Sequence, residues 1–174
     1  MKLQSLHDLY ITELHDLYDA ENQILKALPK MIESSTAPEL RRALEEHLEQ
    51  TRGHVGRLEE VFSMHGEKAK GETSDGIEGI VKAGKKLMSA DAEPQVRDAA
   101  IISAAQKVEH YEMAAYGCVR TYAKILGMKD AEKLLQKTLD EEAETDEKLT
   151  MLDESTVNLE AAEGDTVGAG SGRR

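Results

Sequence analysis

Carboxylates set inside the apolar rhythm of two long helical segments constrain this chain more than any other feature. The segments are Val108-Glu109-His110-Tyr111-Glu112 and Thr138-Leu139-Asp140-Glu141-Glu142-Ala143-Glu144-Thr145-Asp146. Glu109 and Glu112 are three residues apart and so share one helix face. They fall on the stripe Ile102, Ala105, Val108, Met113, Tyr116, Val119. In the later segment the stripe reads Leu135, Leu139, Glu142, Asp146, Leu149. An ionised carboxylate turned into a core is costly unless a partner compensates it. A metal ion is one such partner, and helical bundles build carboxylate metal sites from facing helices.

The rest of the chain supplies a frame for such a site. Its 174 residues suit one domain. A single Phe and no Trp leave the core to Leu, Ile, Ala, Val and Met, which suits packed helices. The formal net charge of -12 argues against nucleic acid or an anionic membrane as a direct partner. Cys118 is the sole cysteine, which excludes an intramolecular disulfide and a thiolate cluster. The opening Met1-Lys2-Leu3-Gln4-Ser5 lacks the apolar run of a secretion signal, and no stretch is apolar enough to span a membrane. A cytoplasmic protein is the resulting expectation.

Helical periodicity places a first helix from about Ser5 to Ser34, on Leu6, Tyr10, Leu14, Leu17, Ile24, Leu25, Leu28 and Ile32. Glu21 interrupts that stripe, and Pro29 should kink the helix or end its regular part. Thr36 with Glu39 resembles a capping box for a second helix running to about His65, where Gly66 can stop it. Gly and polar residues between Gly66 and Pro94 flank one short amphipathic segment, Ile77 to Met88. This reads as a long crossover carrying a small helix. Asp91 offers an N-cap for the third main helix, which ends before Gly127. The fourth starts near Asp130 and fades after about Leu152. The predicted fold is all-α: a four-helix bundle with ferritin-like connectivity and a short fifth helix in the crossover. The bundle is expected over 1–154, with a flexible C-terminal tail over 155–174. Leu44, Leu48 and Leu58 recur as Leu135, Leu139 and Leu149 at constant spacing, a weak repeat of helix two in helix four.

A dinuclear carboxylate site needs several oxygen donors and one or two imidazoles. The bundle recipe takes a Glu from each of two helices and Glu-x-x-His from each of the others. Here Glu21 and Glu109 come from helices one and three, and His54 and Glu142 from helices two and four. Thr51 stands where the recipe has a Glu, and Thr145 where it has a His. Glu112, Asp146 and His47 are the compensating donors, and His47 lies two turns before His54 on nearly one face. The candidate ligands are therefore Glu21, His47, His54, Glu109, Glu112, Glu142 and Asp146. For each there is a plainer reading as a solvated or structural residue, above all in the acidic run from Asp140 to Glu147. His110 points away from Glu109. The five tyrosines lie on helices one and three, where their simplest reading is core with a satisfied hydroxyl. No phosphate loop or nucleophile elbow is present.

Leu14-His15-Asp16-Leu17-Tyr18-Asp19-Ala20-Glu21-Asn22-Gln23 with Ala27-Leu28-Pro29-Lys30-Met31 resembles the opening helix of the bacterial YciE/YciF-type ferritin-like proteins. Glu46-His47-Leu48-Glu49-Gln50-Thr51, Val108 to Glu112 through Ala115-Tyr116-Gly117, and Leu139-Asp140-Glu141-Glu142 with Asp146 resemble its later helices in order. The resemblance covers about residues 3–152. It implies a ferritin-superfamily bundle, usually a homodimer, associated with bacterial stress. The Glu-x-x-Glu of helix three is also similar to rubrerythrin, whose di-iron site reduces peroxide, and on that analogy Glu109 and Glu112 are metal ligands. The function expected is binding of iron, as one or two ions, or manganese at a carboxylate-rich site, with oxidase or peroxide-scavenging chemistry. The rival expectation is a structural or interaction protein whose metal site has decayed.

Overall fold

The computed structural model describes residues 3–162. Helix α1 spans Leu6–Ser34, α2 Pro38–Met64, α3 Asp75–Met88, α4 Pro94–Ile125 and α5 Lys129–Leu152. Four of these, α1, α2, α5 and α4, pack as neighbours around a ring, and α3 lies across α4 and α1 from the crossover. The fold is the expected ferritin-like four-helix bundle with a short fifth helix in its long crossover. No helix among the described residues is long and apolar enough to cross a membrane.

Helix ends follow local chemistry in part. Ser5 Oγ accepts the Asp8 amide at 3.0 Å and caps α1. The helix continues through Pro29 to Ser34. Gly66 and Gly127 take φ of 67° and 76°, the left-handed conformation that closes the ends of α2 and α4 at low steric cost. Two expected caps differ. Thr36 does not form a capping box with Glu39; α2 has no side-chain cap of its own. Buried Asp98 of α4 does this work instead, accepting Thr36 N and Ala37 N at 2.8 Å each and Thr36 Oγ1 at 2.5 Å. A carboxylate from a neighbouring helix satisfies orphan amides as well as a local one does, and it also pins α2 to α4. Asp91 likewise gives way to Glu93, because α4 begins only at Pro94.

Each main helix buries a stripe that is apolar at both ends and polar in the middle. Glu21 interrupts α1; His47, Thr51 and His54 interrupt α2; Glu109 and Glu112 interrupt α4; Thr138, Glu142 and Thr145 interrupt α5. Aligned in the ring, these form one polar layer between two apolar clusters. One cluster is built around Leu28, Leu40, Leu44, Ile101, Ile102 and Leu149. The other is built around Tyr10, Leu14, Leu58, Phe62, Val119 and Leu135.

The crossover is tied down by hydrogen bonds. Ser74 donates its amide to Asp19 at 2.9 Å and its hydroxyl to Asp16 at 3.0 Å, and Tyr111 donates to the same Asp16 oxygen at 2.5 Å. Beyond α5 a π-helical turn, Asp153–Val157, returns Val157 to the core at 2% exposure, and the chain stays helical to residue 162. The domain limit expected at 154 falls inside this turn. Residues 163–174 of the expected tail lie outside the described residues.

Candidate metal centre

The polar layer contains two groups of donors. His47, Glu109, Glu112 and Glu142 form one, and Glu21, His54 and Glu142 the other; within each group one donor atom per residue lies within 4.8 Å of the rest. All of these residues are buried. Glu142 belongs to both groups, so the two share one carboxylate. The helical repeat explains the meeting: each residue sits at a core position of its own helix, at the same height in the bundle.

The distances give the imidazoles distinct roles. His54 Nδ1 lies 2.8 Å from Glu142 Oε1 and 3.4 Å from Glu21 Oε1. Its other nitrogen, Nε2, lies 3.0 Å from Glu141 Oε2. Arg57 holds Glu141 through an ion pair and donates from Nε to Thr138 Oγ1 at 2.9 Å. His47 Nε2 lies 3.3 Å from Glu109 Oε1, and its Nδ1 lies 3.4 Å from Thr145 Oγ1. Each histidine therefore turns one nitrogen into the layer and the other towards a fixing partner. Tyr116 donates to Glu21 Oε1 at 2.5 Å, so its buried hydroxyl is satisfied by a candidate ligand.

Electrostatics in this layer are frustrated. Burial drives the Glu109 and Glu112 carboxyls well above the usual carboxylate range, and the surrounding glutamates push the same way. Glu21 rises for the same first reason, with His54 opposing. Burial would also raise Glu142, but His54 and His47 outweigh it and lower its pKa. Burial alone would keep His54 neutral; Glu142 and Glu21 overcome it and push its pKa up to about 10. Burial lowers His47. Without a cation, the layer holds one charged His54–Glu142 pair among carboxyls that resist ionisation.

The donor atoms are also orphaned. Among the described residues, Glu21 Oε2, His47 Nε2, His54 Nδ1, Glu109 Oε2 and both carboxylate oxygens of Glu112 and Glu142 are buried and make no hydrogen bond, the His54–Glu142 and His47–Glu109 approaches being ion-pair contacts only. Buried polar groups in native proteins are normally satisfied, so a concentration of exceptions at one place makes the layer a candidate ligand site. Oxygen and imidazole donors without thiolates fit a hard or borderline divalent ion such as iron or manganese.

Six of the seven candidates from sequence thus meet in the layer. Asp146 does not join either group. It lies one turn further along α5, where Oδ2 sits 3.2 Å from the exposed His110 Nε2. Sequence reasoning missed Glu141 and Arg57. Both sit beside the stripe rather than on it, and only the packing of α2 against α5 brings Glu141 to His54 and Arg57.

Fold and centre together define the class: a ferritin-like helical bundle with a histidine–carboxylate layer at its middle. The family model described as "Domain of unknown function (DUF892)" matches residues 5–162, and the chain belongs to that family. It is 40% identical over 162 residues to protein YciF of Escherichia coli (strain K12), covering 92% of this chain and 98% of that one. The crystal structure described as that of the E. coli stress protein YciF superposes with a TM-score of 0.86, covering 90% of this chain and 99% of that one. YcfI of Rhodopseudomonas palustris, described as a candidate structural protein, superposes at 0.84 with 41% identity, over 86% of this chain and 95% of that one. A protein of Xanthomonas campestris pv. campestris shares the fold at 18% identity and a TM-score of 0.72, over 92% of this chain and 99% of that one.

Proposed function

We propose that this chain binds iron or manganese, as one or two ions, in its polar layer, and that it serves a bacterial stress response as its relative YciF is described as doing. The observation that carries the reading is the convergence, on two groups sharing Glu142, of buried carboxylate oxygens and imidazole nitrogens that make no hydrogen bond. His47, Glu109, Glu112 and Glu142 would hold one ion, and Glu21, His54 and Glu142 the other. Bound iron would supply one-electron chemistry towards dioxygen or peroxide. The chain's own residues bind, orient and shield. Glu141 accepts from His54 Nε2 and so leaves Nδ1 free to ligate, and Arg57 fixes Glu141 in turn. Thr145 does the corresponding work at His47 Nδ1. The apolar clusters on either side keep bulk water from the layer, which strengthens every charge interaction inside it.

Anaerobic titration with Fe(II) tests this reading. The native chain should take up about two ions at most, and Glu109→Ala should lose tight uptake at its group while Glu21 and His54 keep theirs. Unchanged binding in Glu109→Ala would remove Glu109 from the site. A structural role is the second reading, favoured by the threonines at 51 and 145 and by the description of YcfI. Protein purified without chelator, metal-free by elemental analysis and taking up no iron, would select it. We also propose a homodimer, from the YciE/YciF resemblance, located in the cytoplasm. Light scattering that returns a mass of 19.2 kDa would refute the dimer.

A further inference from the structure

The polar layer comes near solvent between α4 and α5. A surface groove lies there, lined mainly by polar side chains that include Ser103, Gln106, Lys107, His110, Asp146 and Thr150. Two polar pairs join its sides. Gln106 Nε2 donates to Thr150 Oγ1 at 2.8 Å, and one turn further along His110 Nε2 lies 3.2 Å from Asp146 Oδ2. His110 is next to Glu109 on α4, and Asp146 is one turn from Glu142 on α5, so this pair stands between the groove and the candidate ligands. The His110 side chain is 67% exposed and that of Asp146 only 19%. Asp146 Oδ2 faces His110, whereas Oδ1 is buried and makes no hydrogen bond among the described residues. The charge is felt inside: after burial, Glu142 and Glu21, Asp146 is among the groups that raise the Glu109 pKa.

An ion entering a buried site loses its water at high cost unless protein donors replace it step by step. Asp146 offers such a step, with one oxygen in the groove and one inside, and an exposed side chain such as His110 turns aside at little cost. The cleft beneath α3 also reaches His47 and Glu109, but the rest of its lining is mainly apolar and carries the exposed Lys30 and Lys85. That route sets two like charges and few donors before a cation. In the α4–α5 groove Lys107 donates to Ser103 Oγ at 3.0 Å, one turn back along α4 and on the side away from His110. We propose that divalent cations enter the layer through the α4–α5 groove, passed from the outer to the inner oxygen of Asp146 and on to Glu109 and Glu142. The proposal rests on the metal-binding reading, and it gives Asp146 a part in filling the centre rather than in holding the ion.

Uptake kinetics with Mn(II) test the route, in stopped flow with metal-free protein, while electron paramagnetic resonance counts the free ion at equilibrium. Asp146→Asn keeps the shape of the side chain and can still accept from His110, but it loses the charge. Its uptake of Mn(II) should be slower by about tenfold or more, and its release to a chelator slower by a similar factor. Stoichiometry should hold, and Kd should move far less than either rate, because a residue on the path alters both directions alike. Should Asp146→Asn fold poorly, His110→Trp covers the groove, leaves Asp146 charged and should slow both rates likewise. Glu147→Gln removes a charge from the next, exposed position of α5 and should leave the rates as they are. Unchanged rates in Asp146→Asn, or equal slowing in Glu147→Gln, overturn the proposal and leave the metal-binding reading standing. So does a lost ion, or a Kd weakened as much as uptake is slowed, since either makes Asp146 a ligand. A native chain that takes up neither Mn(II) nor Fe(II) refutes the metal-binding reading and the route with it.

Discussion

Glu112→Met should make the metal-free protein more stable. Glu112 is fully buried, and neither carboxyl oxygen has a hydrogen-bond partner. A buried polar group left unsatisfied costs about 1–3 kcal/mol. Methionine has similar length, is a good helix former and carries no such demand. The metal-free variant should therefore gain about 1–3 kcal/mol at neutral pH, or about 2–4 °C in Tm per kcal/mol for a chain of this size. The pH dependence has a definite sign. Burial, reinforced by Glu21, Glu142 and Glu109, raises the folded-state pKa of Glu112 well above 4.5. Below that value the side chain is protonated in both states. As pH rises the unfolded chain ionises while the folded one resists, so the native protein loses stability until the folded pKa is passed. The advantage of Glu112→Met should widen accordingly between about pH 5 and pH 8. Urea denaturation of chelator-treated protein at the two pH values reads both quantities. Metal should then reverse the ranking: the native chain gains about 2.7 kcal/mol at a hundredfold excess over Kd, and the variant gains less. A metal-free variant that is less stable at both pH values, or an advantage that shrinks with rising pH, would refute the reasoning.

Three further outcomes are expected. Glu141→Ala should weaken metal binding about 10- to 100-fold without unfolding the protein, because His54 loses the partner that aims Nδ1 inward; isothermal titration reads the change. Metal binding at about pH 7 should release protons from Glu109, Glu112 and His54, whose pKa values are raised furthest, so the binding enthalpy should vary with the ionisation enthalpy of the buffer. Asp98→Ala should cost about 2 kcal/mol or more in thermal unfolding, since it removes a carboxylate that accepts from two amides and a hydroxyl, and should leave metal stoichiometry unchanged.

The fold was readable because its signals are periodic and local. Stripes such as Tyr10, Leu14, Leu17 and Leu40, Leu44, Leu58 mark helices by spacing alone, and the change of composition between Gly66 and Pro94 marks the crossover. Polar residues on those stripes pointed to one layer because a stripe faces the core along its whole length. What escaped was set by contacts between helices. Asp98 replaced the Thr36–Glu39 cap from a position about sixty residues away. Glu141 lies next to a core position and reaches His54 only through the crossing of α2 and α5. Asp146 shares the periodic face of Glu142 but sits where the bundle opens towards His110. Spacing along one helix does not encode height relative to its neighbours, and that height separates Asp146 from Glu142.

Anomalous scattering from crystals soaked in Fe(II) or Mn(II), recorded at the metal edge, tests the central claim most directly. Peaks should stand against Glu142, one on the side of His47, Glu109 and Glu112, the other on the side of Glu21 and His54. An empty polar layer, or peaks only on surface acids such as those between Asp140 and Glu147, would contradict it.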